Sequence, residues 1–243
     1  MSDDSASTAL VGIWEDLANQ GYALTNDGAI GLPEKFRMNF GQTYFNDHIL
    51  EEDPEGRPEG RKRARDVIRY QWRDDDLDVQ EHDKITITDR DGRPGHREHS
   101  RVELLKDREA EELIRVLLSL VPPGERQTDG TFGVNLFRTV KEIVTSPHHD
   151  HEKYCVIYVL DRVGEGAETE LYKPEDVPDQ GEPTEEPVLR HQLKPGQIII
   201  FEDERFKHSA TPLKPLPGET ARRDVVVCTV DHQGTYLATK PAH

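Results

Sequence analysis

The stretch SPHHDHEKYCVIYVL, residues 146–160, decides the fold that we predict for this chain. Its second half is a run of β-branched and aromatic residues, which is typical of a buried strand. Directly before this run stand four potential metal ligands. Side chains two apart on an extended chain point to the same side, so His148 with Asp150, or His149 with His151, can converge on one metal ion. The stretch therefore predicts a strand whose entry carries a metal site.

A third ligand is available in FEDERFKHSATPL, residues 201–213, where His208 follows an apolar run. Together with His148 and Asp150 it completes a set of two histidines and one carboxylate. Such a set occupies one face of an octahedral Fe(II) ion and leaves the opposite face open for a bidentate oxoacid and dioxygen.

Arg223 stands fifteen positions after His208 and opens the apolar run at 224–230. Its guanidinium is a planar fork of donors that matches a carboxylate, such as the distal carboxylate of 2-oxoglutarate. The order His-x-Asp, His, Arg therefore predicts an enzyme that uses Fe(II), with 2-oxoglutarate as co-substrate and O2 as oxidant.

The hydrophobic pattern places helices in the first half and short strands in the second. We expect an α+β, mainly β protein, with a jelly roll or barrel in its C-terminal half. The predicted helices are 8–19, 33–45 and 107–121, and the predicted strands are 67–72, 84–88, 131–140, 153–160, 168–172, 188–193, 197–201 and 224–230.

We expect residues 1–243 to form one domain, with a helical N-terminal segment, residues 1–60, packed on the barrel. Residues 51–62 are predicted to be a charged loop. Residues 173–187 are rich in Pro, Glu and Asp, which predicts a mobile acidic loop that is either plain surface or a lid over the site.

The formal net charge of −17 argues against nucleic acid or an anionic membrane as a partner, because both would be repelled. No apolar segment approaches the ~20 residues that span a bilayer, so we expect a cytoplasmic protein. Cys155 and Cys228 lie in strand-like runs and are expected to be free, buried thiols. The sequence leaves the oligomeric state, including a homodimer, open.

The chain resembles the bacterial 2-oxoglutarate/Fe(II) dioxygenases that hydroxylate free amino acids, the group that contains L-isoleucine dioxygenase. The resemblance is patchy but ordered along the chain. It covers RARDVIRY at 63–70, GVNLFR at 133–138, HHDHE at 148–152, GAETEL at 166–171, HSATPL at 208–213 and RRDVVVCTV at 222–230.

This resemblance implies a double-stranded β-helix in which His148, Asp150 and His208 bind iron and Arg223 binds 2-oxoglutarate. It also implies that Arg65 and Arg138 bind a small, amino-acid-like substrate, since an amino-acid carboxylate needs a cationic partner in a desolvated pocket. The expected reaction is hydroxylation of an unactivated C–H bond, and desaturation or cyclisation are alternatives.

Three features depart from that group: the extra histidines around Asp150, the acidic insertion after Tyr172, and Tyr158. Tyr158 lies an even number of positions after Asp150, so on an extended chain the two side chains point to the same side. Tyr158 therefore either faces the pocket and donates to 2-oxoglutarate or belongs to the core. Arg65 lies in a basic run, for which a solvated face is the alternative interpretation.

Another class of function is a cupin-like metal isomerase or sensor that uses His149, His151 and His208. We favour His149 and His151 as simple neighbours of the ligands. The remaining histidines have no spacing typical of ligands and are expected at the surface: His48, His82, His96, His99, His191, His232 and His243.

Overall fold

The computed structural model describes residues 3–52, 60–74, 76–82, 102–140, 145–178 and 182–231. Three helices are present in these ranges, and each confirms a helix predicted from the sequence. They are α1 (Asp3–Gln20), α2 (Glu34–Tyr44) and α3 (Arg108–Ser119). The predicted strand at 84–88 lies outside the described residues.

Strands make up most of the remaining described chain. The six strands predicted after residue 130 are all present. The strands are β1 (Tyr22–Asn26), β2 (Glu51–Glu52), β3 (Arg61–Arg73), β4 (Asp76–Glu81), β5 (Asp129–Thr139), β6 (Thr145–His148), β7 (Tyr154–Val163), β8 (Glu165–Gly166), β9 (Thr169–Tyr172), β10 (Leu189–His191), β11 (Gln197–Glu202), β12 (Lys207–Ala210), β13 (Leu213–Lys214) and β14 (Arg222–Val230).

Two antiparallel sheets form the body of the protein. The major sheet has the order β1-β11-β7-β14-β5-β3-β2, with β4 paired to β3, and the minor sheet has the order β10-β9-β12-β6. Successive strands of the second half cross repeatedly from one sheet to the other. This order is that of a double-stranded β-helix, a jelly roll, and the predicted fold class is confirmed.

Strand β7 shows why the sequence of the major sheet is so apolar. Cys155, Ile157 and Val159 face inward and pack with residues of the minor sheet such as Leu171. Alternate residues such as Tyr158 face outward into a second core beneath the helices. Because both faces are buried, the strand lacks the polar alternation of a surface strand.

The helices lie on the outer face of the major sheet. Helix α1 is followed by Gly21, whose φ of +80° favours glycine and whose N–H donates to the Leu17 carbonyl at 2.8 Å. Helix α2 packs Phe36, Phe40 and Tyr44 into the core. Helix α3 begins at Asp107, whose side chain accepts a hydrogen bond from the N–H of Glu109 at 2.9 Å.

Some predicted loops contain regular structure. The predicted loop 51–62 contains β2 at one end and the start of β3 at the other, and its middle lies outside the described residues. In the predicted acidic loop 173–187, Pro174–Asp176 form a 3-10 turn and Val177 is buried. Whether this loop acts as a lid stays a prediction.

The histidine predictions were partly wrong. His82, which we expected at the surface, is only 3% exposed. It follows β4, whose sequence DLDVQE is too polar to predict a buried end. His48 is exposed as predicted and His191 is half-buried, whereas His96, His99, His232 and His243 lie outside the described residues.

Two neighbouring carboxyl groups, on β3 and β4, contact the backbone of the segment before α3. Asp66 of β3 is fully buried and accepts hydrogen bonds from the N–H groups of Val67 and Leu104, while Glu81 of β4 accepts from the N–H of Leu105. Burial, reinforced by the nearby Glu81, raises the pKa of Asp66 to about 7. The fold therefore keeps Asp66 neutral to a higher pH than the unfolded chain does.

Because the pKa of Asp66 is raised on folding, its contribution to stability is complete at pH below about 4 and is lost as the pH rises toward 7. Replacing Asp66 with Asn removes this titration. We therefore expect the melting temperature of Asp66→Asn, relative to the wild type, to increase between pH 4.5 and 7.5.

Asp47 provides a control of opposite sign. It is exposed, and its ion pair with Lys62 lowers the pKa of its carboxyl. Asp47→Asn should therefore lose a small amount of relative stability as the pH rises. Parallel pH profiles for Asp66→Asn and the wild type would contradict the assignment of Asp66.

Candidate metal centre

The predicted ligands His148, Asp150 and His208 converge in the fold. Strand β12 pairs with β6 so that His208 lies opposite His148, and Asp150 follows β6 by two residues. The two imidazole rings are 4.3 Å apart between centroids. One ligand atom from each of the three residues lies within 4.8 Å of the others.

Both histidines present Nε2 to Asp150. His148 Nε2 is 3.6 Å from Asp150 Oδ1, and His208 Nε2 is 3.5 Å from Asp150 Oδ2. The Nδ1 atom of His148 lies 2.9 Å from the Ser146 carbonyl, which accepts a hydrogen bond from a protonated Nδ1. In that tautomer the lone pair of His148 Nε2 is available for a metal ion.

Asp203, which the sequence did not single out, lies behind the three predicted ligands. It is fully buried just after β11. Its carboxylate accepts hydrogen bonds from the N–H groups of Asp150 and Glu152, both at 3.2 Å, and its Oδ1 lies 3.4 Å from His208 Nδ1. Burial works against ionisation of Asp203, but His208 and these N–H groups outweigh it, so the pKa of Asp203 is lowered.

The other two histidines point elsewhere. His149 Nδ1 contacts the Asp203 carbonyl at 2.5 Å, and His151 is exposed with a φ of +61°. Among the described residues, His149, His151 and His208 do not form a metal-binding group. The structure therefore does not support the cupin-like ligand set.

The predicted role of Tyr158 in binding 2-oxoglutarate was wrong. Tyr158 lies in the outer core, and its hydroxyl donates to Asp27 at 3.1 Å. The left-handed backbone at His151 interrupts the extended chain, so the side-chain alternation that starts at Asp150 does not continue into β7. Tyr158 consequently faces away from the ligands.

The predicted role of Arg138 in binding substrate was also wrong. Arg138 lies two residues after Leu136 on β5 and therefore points, like Leu136, to the outer face of the major sheet. Its guanidinium makes a bidentate ion pair with Asp224, with two contacts of 2.7 Å. The partner required by a partly buried arginine is therefore supplied by the protein itself.

Arg223 lies on the inner face of the major sheet, two residues before the inward-facing Val225. Arg162 of β7 is its cross-strand neighbour and donates to the carbonyls of Leu193, Gly164 and Gly166. Burial, followed by the nearby Arg162 charge, lowers the pKa of Arg223 to about 10. The Nε and Nη2 atoms of Arg223 are buried without a hydrogen-bond partner among the described residues.

Arg65 lies at the metal end of the same inner face. Arg65 pairs with Asn135 of β5, and two residues further along β3, Val67 pairs with Gly133. A methyl group on Gly133 would lie 2.4 Å from the Thr229 Oγ1 and 3.5 Å from Arg65 Nη2. Thr229 in turn is the cross-strand neighbour of Cys155. Cys155 Sγ lies 3.8 Å from Asp150 Oδ2.

This donor set fits Fe(II). Two imidazoles and one carboxylate on one side of a cluster leave the other side open for further ligands. The buried, unpartnered donors of Arg223 fit a carboxylate group, because a desolvated guanidinium is stabilised by an anion.

The family model described as 2OG-Fe dioxygenase matches residues 45–229, more than half of the chain. The chain belongs to the 2OG-Fe dioxygenase family. It is therefore a 2-oxoglutarate-dependent oxygenase, and it uses Fe(II), 2-oxoglutarate and O2. The His-x-Asp and His triad of such enzymes is present in the structure.

Solved structures show the same fold at low sequence identity. A bsmA homolog from Methylobium petroleophilum PM1 is 20% identical, with 98% of this chain and 96% of that chain covered and a TM-score of 0.69. The Fe(II)/α-ketoglutarate-dependent dioxygenase TqaL is 14% identical (99% and 95% covered, TM-score 0.69). IDO from Bacillus thuringiensis is 13% identical (93% and 99% covered, TM-score 0.64).

A search of curated protein sequences found no match. Within the described ranges, no helix is long and apolar enough to cross a membrane.

Substitutions at Asp150 and His149 should separate this 2OG-Fe dioxygenase centre from the alternative histidine set, because His208 belongs to both sets. We expect Asp150→Ala and His208→Ala to lose bound Fe(II), because each removes one of three ligands. His149→Ala should keep most of it, since the Nδ1 atom of His149 contacts the Asp203 carbonyl and not the triad. Metal content per chain after anaerobic loading and dialysis measures this directly. Loss in His149→Ala with retention in Asp150→Ala would instead favour the cupin-like set.

Proposed function

We propose that His148, Asp150 and His208 hold the iron of this oxygenase, that Arg223 binds the distal carboxylate of 2-oxoglutarate, and that the enzyme hydroxylates an unactivated C–H bond of a free amino acid or close derivative. The observation that carries the proposal is the inner face of the major sheet. Asp150 lies close to Cys155 on this face, which is the cross-strand neighbour of Thr229 near the end of β14, whereas Arg223, whose Nε and Nη2 have no hydrogen-bond partner among the described residues, lies near the start of that strand.

Iron bound by this triad supplies the oxidising chemistry: the substrate C–H becomes C–OH, one O2 is consumed, and 2-oxoglutarate becomes succinate and CO2. The chain itself supplies position. His148, Asp150 and His208 would hold the iron, and the apolar residues between the two sheets would limit the access of water to it.

Arg223 acts as an anchor for the co-substrate. Its guanidinium is desolvated and lies beside the second cation Arg162, whose donors are already used by backbone carbonyls. An incoming carboxylate therefore relieves the repulsion between two cations and satisfies buried donors at the same time. Both effects favour a dicarboxylate over a neutral ligand.

Arg65 is our candidate for the substrate carboxylate. It is half-buried on the inner face, and its Nη2 lies 3.5 Å from the position that a methyl group on Gly133 would occupy. The buried Thr229 hydroxyl, which has no hydrogen-bond partner among the described residues, lies beside the same position. A carboxylate held there would place the rest of a small molecule close to Asp150.

The role of Arg223 can be measured through the affinity for 2-oxoglutarate. A hydrogen-bonded charge pair contributes about 1.5–3 kcal/mol, so Arg223→Gln should raise the KM for 2-oxoglutarate roughly 10- to 100-fold. Fe(II) binding should change little, because Arg223 is not near the ligands in the fold.

Arg138→Gln is the matched control for that experiment. It removes a guanidinium from the adjacent strand but breaks only the ion pair with Asp224 on the outer face. It should lower the melting temperature and leave the KM for 2-oxoglutarate unchanged. Equal increases in KM for both variants would show that Arg223 acts through stability and not as an anchor.

The substrate proposal is tested with a panel of free amino acids and simple derivatives, with succinate formation and product mass as the measurements. At least one member should give a product heavier by one oxygen. A mass lower by two hydrogens would identify desaturation or cyclisation instead. Absence of succinate with every member would overturn the proposed substrate class.

Arg65→Gln should then lower kcat/KM for the accepted amino acid roughly 10-fold or more, because it removes the proposed carboxylate partner. Arg69→Gln is the control, since Arg69 lies on the same strand but is exposed. If both variants keep the wild-type kcat/KM, the substrate carboxylate is bound elsewhere.

A further inference from the structure

The supporting contacts of the two histidine ligands differ in charge. His148 Nδ1 meets a neutral carbonyl, that of Ser146, whereas His208 Nδ1 faces the buried carboxylate of Asp203 at 3.4 Å. The His208 ring therefore lies between two carboxylates, with Asp150 on its Nε2 side. A proton on His208 Nδ1 is attracted by Asp203, which leaves the Nε2 lone pair for the metal.

The same carboxylate holds the backbone that carries Asp150. The N–H groups of Asp150 and Glu152 both donate to Asp203, one to each oxygen. Between them lies His151 in a left-handed conformation, which is uncommon for a residue other than glycine. Two hydrogen bonds to one buried acceptor thus fix a turn that the local sequence does not favour.

The Asp203 backbone adds a third contact, because its carbonyl lies 2.5 Å from His149 Nδ1. This contact turns His149 away from the triad. One residue between β11 and β12 therefore reaches the turn after β6, a ligand on β12, and the histidine that could compete as a ligand.

We propose that Asp203 is a positioning residue of the metal centre, which holds Asp150 and His208 in a preformed arrangement and increases the affinity for the metal ion. This inference rests on the proposed function, because it takes His148, Asp150 and His208 as the ligands. Groups that orient metal ligands from behind typically change metal affinity by 10- to 100-fold when they are removed.

The test is metal binding by purified full-length protein. Asp203→Asn keeps the size of the side chain, but its amide can accept from only one side and presents N–H to the other. We expect the Kd for Co(II), used as a spectroscopic probe, to rise roughly 10- to 100-fold, with a changed visible absorption spectrum of the bound ion.

Asp27→Asn is the matched control. Asp27 is also a mostly buried aspartate with several partners, accepting from the Gly28 N–H, from Arg37 and from Tyr158, but it lies under the helices. It should lower the melting temperature without altering the Co(II) Kd or spectrum. Asp203→Ala provides a second variant if Asp203→Asn folds poorly.

The outcomes separate the two proposals. If the wild type binds no Co(II), or Asp150→Ala binds it equally well, the proposed ligand set fails. If the wild type binds Co(II) and Asp150→Ala does not, but Asp203→Asn retains the wild-type Kd and spectrum, the role of Asp203 is overturned. A higher Kd for Asp203→Asn with wild-type Asp27→Asn binding supports it.

At saturating metal, the KM of Asp203→Asn for 2-oxoglutarate should stay near the wild-type value, because Asp203 contacts the loop that carries Asp150 and not Arg223. An increase in KM equal to the increase in the Co(II) Kd would point to general distortion of the barrel, and would count against positioning.

Discussion

Burial of the major sheet on both faces is the constraint around which this protein is organised. Strand β7 has no solvated face: Ile157 belongs to the inner core and Tyr158 to the outer one. The three helices are needed to cover one face and the minor sheet to cover the other. The inner core is thus built from apolar strands, and the few charged groups that border it lie in surroundings where their interactions are strong.

That enclosure explains how the charged inner residues are distributed. Asp203 is ionised in the core because hydrogen bonds and His208 compensate for its burial. The contacts of Asp203 stabilise the loop that carries Asp150. Arg223 stands beside a second cation, and its Nε and Nη2 have no hydrogen-bond partner within the described ranges. The donors of Arg223 are unsatisfied within that part of the chain, which is typical of a site that binds an anionic ligand.

The sequence predicted those features of this design that have a local signature. The apolar run of β7, the helices with their stop signals, and the spacing of His148, Asp150, His208 and Arg223 could all be recognised directly. Strand β12, KHSA, could not, because it is short and polar and depends on pairing with β6 and β9. Asp203 was missed because two of its partners, the N–H groups of Asp150 and Glu152, lie some fifty residues earlier in the chain, and its contact with His208 has no recognisable spacing in the sequence. The role of Tyr158 was predicted wrongly because the left-handed residue His151 breaks the alternation of side chains between Asp150 and β7. The role of Arg138 was predicted wrongly because the alternation of side chains cannot reveal an ion-pair partner such as Asp224.

The row of arginines on the inner face has a further consequence for kinetics. Arg61, Arg63 and Arg65 alternate along β3, with Arg61 and Arg63 near the Phe137 ring, while the chain as a whole carries a net charge of −17. An anion must therefore cross a repulsive outer field before it meets an attractive interior. Added salt screens the outer field more than buried contacts. Association of a dicarboxylate with this protein should accordingly become faster, not slower, as the ionic strength rises.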